Sequence, residues 1–147
     1  MSESACNDMI VSVDAIKASP LGEELSDAQC ETLAGVMTAC AIRDQAFLIE
    51  EGQKDDTLHI LTNGNMEVVS HTGGGDYVGL QVLRAGDMLG ELGFLDGVEH
   101  SAGLRAMGNC ELIRLDRASF EGLLDKDPDL VYKVMRSIVR TVHRILR

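Results

Sequence analysis

The stretch that decides the fold is residues 86–106, which read G-D-M-L-G-E-L-G-F-L-D-G-V-E-H-S-A-G-L-R-A. Gly90 and Gly93 remove side chains at points where the backbone can approach a ligand closely. A short helical turn that begins near Glu91 would present free amide N–H groups, which suit a phosphate. The Glu91 carboxylate is costly to bury unless a donor reaches it. The same residues are also compatible with simple turns and a solvent-exposed Glu91 carboxylate. The surrounding sequence is therefore needed to distinguish a ligand site from a plain loop.

Short β-rich runs surround this stretch, with turns roughly ten residues apart. Asn63-Gly64 joins two of these runs and predicts a hairpin, because both central residues of such a turn need positive φ. A series of short strands like this favours an antiparallel sandwich, jelly roll or barrel. The predicted strands are residues 47–49, 57–62, 65–70, 77–83, 101–106 and 110–115.

Helices are predicted on both sides of the strands. Ser26 and Gln29 have the spacing of a capping box, and apolar residues then recur at helical intervals over 27–39. Asp116 is placed to cap a short helix. Asp127-Pro128 has the form of a cap followed by the first residue of a final helix.

The chain has 147 residues and a formal net charge of −11. That length is typical of one domain, and no run approaches the roughly 18 apolar residues of a membrane span. An acidic protein is a poor binder of nucleic acid, because Lys and Arg are what neutralise phosphates. The N-terminus lacks the basic and apolar regions of a secretory signal. We therefore expect a cytoplasmic protein that binds neither nucleic acid nor membrane.

The cysteines and histidines predict no metal or redox site. The four cysteines contain no Cys-x-x-Cys pair, and without an export signal all four are expected as reduced thiols. No two of the four histidines are two or four residues apart, so the His-x-His pair of a cupin-type metalloenzyme is missing. Gly-x-Ser-x-Gly and Walker-type motifs are absent as well. We expect no catalytic residues, no metal, no cofactor and no enzymatic activity.

In this context, residues 86–106 resemble the phosphate-binding cassette of the cyclic nucleotide-binding domain family, of the catabolite-activator type. That cassette contains Gly-Asp, then Gly-Glu, a short apolar turn and Arg-Ser/Ala/Thr-Ala. The resemblance extends over residues 19–130. It implies a mainly β fold, an antiparallel jelly roll or double-stranded β-helix with an N-terminal helix and two C-terminal helices. The matching positions are Gly86, Asp87, Gly90, Glu91, Leu92, Gly93, Ser101 and Ala102.

The resemblance implies a ligand, cyclic AMP or cyclic GMP, and a site that holds it. In the family the residue at the position of Glu91 accepts a hydrogen bond from the ribose 2′-hydroxyl, and Ser101 is placed to donate to a phosphate oxygen. In the family the last helix often contacts the base, and the polar residues near its end here are Thr141, His143 and Arg144. The predicted ligand-binding residues are Gly90, Glu91, Leu92, Gly93, His100, Ser101 and Ala102.

One position departs from the family pattern. Where the family has the arginine that pairs with the cyclic phosphate, this chain has His100. Arginine offers a fixed charge and a bidentate fork, whereas histidine is mostly neutral at pH 7. Losing one charge-assisted bond costs about 1.5–3 kcal/mol. Arg105 is expected on the opposite strand face, where it does not compensate. Three interpretations stay open: weak cyclic nucleotide binding, a different ligand, or a retained fold that has lost binding.

The last helix carries a charge opposite to that of the rest of the chain. Residues 128–147 hold five basic residues and one acid, while the other 127 residues hold 8 basic and 23 acidic ones. The basic positions line one helix face, which is either a solvated surface or a docking surface for an acidic partner. Alternatively, the helix pairs with a second copy through Val131, Ile138 and their neighbours.

Together these observations predict a stand-alone regulatory or sensor domain over residues 19–147, preceded by an N-terminal arm or short element over residues 1–18. Related transcription regulators continue into a DNA-binding domain, and we expect none here. The alternative is a degenerate cyclic nucleotide-binding fold that acts as a protein-interaction module.

Overall fold

The computed structural model describes residues 9–145, with side chains described up to residue 143. Its helices are α1 (Val13–Ala18), α2 (Asp27–Ala34), α3 (Glu91–Asp96), α4 (Arg117–Glu121) and α5 (Pro128–Ile145), with a 3-10 helix over Pro20–Glu24. Its strands are β1 (Met9–Ile10), β2 (Thr38–Ile42), β3 (Phe47–Ile49), β4 (Thr57–His71), β5 (Tyr77–Arg84), β6 (Met88–Leu89) and β7 (Gly103–Asp116).

The strands form one antiparallel sheet that rolls around its own core. Its main path runs β1-β2-β7-β4-β5, while β3 pairs with β7 and β6 pairs with β4. One apolar cluster consists of strand side chains only, including Ile42, Leu61, Met66 and Leu112. A second cluster packs the helices onto the sheet. The predicted mainly β fold with an N-terminal helix and two C-terminal helices is confirmed.

The predicted hairpin at Asn63-Gly64 is wrong. β4 continues through these residues and pairs with β7 from Thr57 to Val69, with register shifts on both sides of Asn63. Gly64 does have positive φ, at 97°. It uses that conformation in a β-bulge, where a β-carbon would lie 2.8 Å from the Asn109 carbonyl oxygen. The local signal for positive φ was correct, but pairing with the distant β7 decided between a turn and a bulge.

The capping box of α2 is confirmed, but the predicted end of the helix is wrong. The Ser26 hydroxyl accepts from the Gln29 backbone N–H, and the Gln29 side chain accepts from the Ser26 N–H. The helix ends at Ala34 rather than at residue 39, because Thr38 joins β2 and pairs with Arg114 of β7. Backbone pairing in the sheet therefore overrides the helical spacing of the apolar residues.

The C-terminal helices begin where the sequence predicts. The Asp116 carboxylate accepts from the Ser119 N–H at the start of α4. The Asp127 carboxylate accepts from the Leu130 N–H, and α5 begins at Pro128. Residues 9–18, left without an assignment by the sequence, form β1 and α1, and Ile16 of α1 is buried in the helix-bearing core. Residues 1–8 lie outside the described part of the chain.

The expectation that all four cysteines are reduced is wrong for Cys40, which is disulfide-bonded. Cys30 and Cys110 are buried free thiols, and burial raises the pKa of each.

Among the helices that the structure describes, none combines the length and the apolar character needed to cross a bilayer.

Candidate functional site

A cavity of about 260 Å³ lies between α3, the loop before β7 and the inner faces of β4 and β5. All seven predicted ligand-binding residues line it. Apolar side chains complete the wall, among them Val68, Leu83 and Leu104. The fold therefore brings together two groups that the sequence separates, residues 90–93 and residues 100–102.

The two cassette glycines are required by packing. Gly90 precedes α3 in the left-handed conformation, with φ 78°. A β-carbon there would lie 3.0 Å from the Thr57 carbonyl oxygen and 3.3 Å from Cε1 of His100. A β-carbon on Gly93 would overlap the Asp55 carbonyl oxygen. The sequence indicated that the backbone at these glycines approaches a ligand closely. The structure adds that backbone at and just before the start of β4, together with the His100 ring, fills the space where side chains at Gly90 and Gly93 would lie.

Glu91 and Ser101 offer polar groups to the cavity. Glu91 is the first residue of α3, is partly exposed, and no described residue donates a hydrogen bond to its carboxylate. The hydroxyl of Ser101 is exposed and likewise unpaired among the described residues. Each side chain is therefore free to bond a ligand from the wall of the cavity.

The side chain of His100 lies against the floor of the cavity. Its backbone is held by the loop before β4: its N–H donates to the Gln53 carbonyl, and its carbonyl accepts from the Gly52 N–H. Its Nε2 lies 3.5 Å from the β-carbon position of Gly93, is buried, and has no hydrogen-bond partner among the described residues. Burial lowers the pKa of His100, an effect that the negative charge of Asp55 partly opposes.

Asp55 and His59 form a pair beneath His100 that the sequence did not indicate. His59 is buried, and its Nε2 donates to the Asp55 carboxylate at 2.9 Å. Burial works against ionisation of Asp55, but hydrogen bonds from His59 and Thr57 and the attraction of His59 and His100 lower its pKa. Nothing in the spacing of Asp55 and His100 identified them as neighbours, since they meet only when the loop before β4 folds under α3.

The cavity wall lacks a fixed positive charge, since no Lys or Arg is among the described residues that line it. Glu91 and Glu99 contribute two acids. Arg105 lies outside the cavity, as predicted: its guanidinium pairs with Glu67 at 3.0 Å and stacks 5.6 Å from the Tyr77 ring centroid. The ionisable groups that line the cavity are therefore His100 and two carboxylates, with no fixed positive charge among the described residues.

The comparison with protein families agrees with this geometry. The family model described as "Cyclic nucleotide-binding domain" matches residues 40–127, which include every strand from β3 to β7 and the whole cavity. The chain belongs to the cyclic nucleotide-binding domain family. The match confirms the family resemblance that residues 86–106 suggested.

Three proteins are compared with this chain. The "cAMP-activated global transcriptional regulator CRP" of Salmonella typhimurium is 31% identical over 113 residues, which cover 74% of this chain and 54% of that protein. This chain thus spans about half the length of that relative. A cyclic nucleotide-binding domain from Methylobacillus flagellatus superposes with a TM-score of 0.80, at 22% identity, over 92% of this chain and 76% of the other.

The third is the regulatory subunit of a cAMP-independent protein kinase A from Trypanosoma brucei, as a triple mutant bound to cAMP in its A site. It superposes with a TM-score of 0.72, at 22% identity, over 88% of this chain and 45% of that one. One of its three substitutions introduces an arginine. At this identity, the likeness shows a shared fold.

Three basic residues of α5 are paired within the chain. Lys133 contacts Asp129 at 2.9 Å, and both Arg136 and Arg140 contact Glu24 of the 3-10 helix, at 3.3 and 2.9 Å. These contacts remove the reason to expect an acidic partner for these three cations. The side chains of Arg144 and Arg147 lie outside the described residues.

Two other expectations for α5 are corrected. Val131 and Ile138, the predicted residues of a helix pair, are buried in the core of this chain. Thr141, one of the polar residues that the family resemblance offered as contacts for the base, is buried and does not line the cavity, and His143 does not line it either. The exposed face of α5 instead carries an apolar stripe of Tyr132, Met135 and Val139, which are 60%, 43% and 65% exposed.

Proposed function

We propose that this chain is a regulatory domain that binds cyclic AMP or cyclic GMP in the cavity beside α3, with low affinity. The observation that carries the proposal is the unpaired Glu91 carboxylate at the start of α3, in a family cavity that also holds Ser101. Glu91 would accept from the ribose 2′-hydroxyl, while Ser101 and the first amides of α3 would donate to the phosphate. The site takes a ligand rather than a cofactor.

The low affinity follows from the charges around the cavity. His100 replaces the arginine of the family, and burial lowers its pKa, which favours the neutral ring. Glu91 and Glu99 add negative charge to the wall.

Calorimetric titration of the chain with cyclic AMP and with cyclic GMP tests the proposal. We expect heat of binding from at least one of them at millimolar ligand. No heat from either at that concentration would contradict it.

Replacing Glu91 with glutamine is expected to weaken cyclic nucleotide binding by about tenfold or more, because a bond to a charged acceptor contributes about 1.5–3 kcal/mol. The 2′-deoxy nucleotide is the matched control, since it lacks the hydroxyl and should bind the two proteins equally. Calorimetry with both ligands measures the difference. An equal loss with the 2′-deoxy nucleotide would assign Glu91 a role other than contact with the ribose.

A second function, self-association through α5, is favoured by the stripe of Tyr132, Met135 and Val139. The spacings of three and four residues match the seam of paired helices. The three side chains are uncharged, and the neighbouring Arg136 and Arg140 are paired with Glu24, so a second copy of the same stripe is a complementary partner about a two-fold axis. This arrangement also fits the alternative in which the domain acts through protein contacts and not through a nucleotide.

Replacing Val139 with glutamate is expected to weaken self-association by more than about tenfold, since a two-fold interface meets the new charge twice. Sedimentation velocity over a range of concentrations measures it. The control is Val78→Glu, which places the same charge on the exposed face of β5, where Val78 is 49% exposed. A wild-type chain that stays monomeric at all concentrations would contradict the proposal.

We also propose that the ligand-binding unit spans residues 19–147, with residues 1–18 as an N-terminal element. The protein would act in the cytoplasm and would not catalyse a reaction.

A further inference from the structure

Three ionisable side chains from two separate segments of the chain lie together beside the cavity. His59 of β4 donates to Asp55 in the loop before that strand at 2.9 Å, and both influence the titration of His100. The ring edge of His100 that carries Cε1 and Nε2 faces the first turn of α3, within 3.3 and 3.5 Å of the β-carbon positions of Gly90 and Gly93. The buried Nε2 has no partner among the described residues.

This placement gives the cavity one group that can become positive. The described lining residues include no Lys or Arg, and the other ionisable groups among them are the acids Glu91 and Glu99. His59 does not line the cavity and is tied to Asp55. An anionic ligand therefore gains a cationic partner at the wall only when His100 takes up a proton.

We propose that cyclic nucleotide binding in this cavity is coupled to the uptake of one proton by His100, so that the affinity of the site rises as the pH falls. The proposal rests on the function proposed above and adds its regulation. The proton comes from solvent and goes to the free ring nitrogen of His100, and the phosphate of the ligand provides the opposing charge.

The charged groups around His100 determine its pKa in the free chain and in the complex, and thereby how the affinity changes with pH. Burial lowers its pKa below the ordinary 6.5, Asp55 and Glu91 oppose that shift, and a charged His59 would reinforce it. A phosphate beside the ring adds negative charge, which raises the pKa of His100 in the complex. Between these two pKa values the complex holds one proton more than the free chain, and linkage then makes binding tighter at lower pH.

Calorimetry with cyclic AMP and cyclic GMP from pH 5 to pH 8, in buffers of different ionisation enthalpy, tests the coupling. We expect the dissociation constant to fall by about tenfold for each pH unit lowered, between the pKa of His100 in the complex and that in the free chain. The buffer dependence should report close to one proton taken up per ligand in that window. Replacing His100 with glutamine should abolish both effects, and His71→Gln, a histidine outside the cavity, should preserve both.

The outcomes separate this proposal from the function on which it rests. Binding whose affinity is independent of pH, without proton uptake, would overturn the coupling and leave nucleotide binding intact. Proton uptake that persists in His100→Gln would also overturn it, since another group would then take the proton. Absence of binding at every pH with both nucleotides would overturn the proposed function itself. An independent measurement is the NMR titration of the His100 ring. Its midpoint should shift to higher pH when the cyclic nucleotide is added.

Discussion

Replacing His100 with arginine is expected to tighten the binding of cyclic AMP or cyclic GMP by about ten- to a hundredfold at pH 7.5. The backbone bonds to Gly52 and Gln53 hold residue 100 at the cavity wall, so the new side chain starts from the same place. Arginine is too long for the space that the imidazole fills against Gly90 and Gly93, and its head group should extend into the cavity. There it supplies a permanent charge and a bidentate fork for the phosphate.

A matched variant separates this local effect from a change in net charge. His71→Arg adds the same charge on an exposed residue of β4 that does not line the cavity. We expect its affinity to stay close to that of the wild type. Titration calorimetry on the three proteins measures the comparison. Equal or weaker binding by His100→Arg would show that residue 100 is not at the phosphate position.

Replacing Phe94 with alanine is expected to lower the free energy of unfolding by about 3–5 kcal/mol. Phe94 is 1% exposed in α3, and its ring lies 5.0 Å from that of Phe120 in α4. The truncation would leave a void between the cassette helix and the C-terminal helices. At this chain length each kcal/mol corresponds to a decrease in Tm of about 2–4 °C.

Leu92→Ala is the control for Phe94→Ala, because it removes an apolar side chain from the same helix at a position that is 61% exposed. Its free energy of unfolding should change by no more than about 0.5 kcal/mol. Urea unfolding of both variants measures the difference. Similar losses in the two proteins would mean that α3 is not anchored through the contact between Phe94 and Phe120.

The fold was predictable where the signal was local. The carboxylates of Asp116 and Asp127 and the hydroxyl of Ser26 cap helices that begin where the spacing predicted, since each bond spans three residues. Long-range pairing was not predictable in the same way. Asn63-Gly64 carried the signal of a hairpin and became a bulge, because the pairing of β4 with β7 stabilises the continuous strand.

The site shows the same division. Residues 90–93 and 100–102 were identified from the resemblance of residues 86–106 to the family's phosphate-binding cassette, and the structure places all of them on one cavity. Asp55 and His59 were not identified, because neither forms part of a motif and their neighbour His100 comes from a distant loop. The pairing of Arg136 and Arg140 with Glu24 was missed for the same reason.

The amino-acid sequence by itself determined the family, the mainly β fold, the starts of α2, α4 and α5, and seven of the residues that line the cavity. These features depend on short motifs and on caps whose partners are a few residues apart. Only the tertiary structure decided that His100 is partly buried near Asp55 and His59, that Lys133, Arg136 and Arg140 of α5 are paired, and that Tyr132, Met135 and Val139 form an exposed apolar stripe. Burial and charge pairing depend on which distant segments pack together, and the free energies involved are set by that packing.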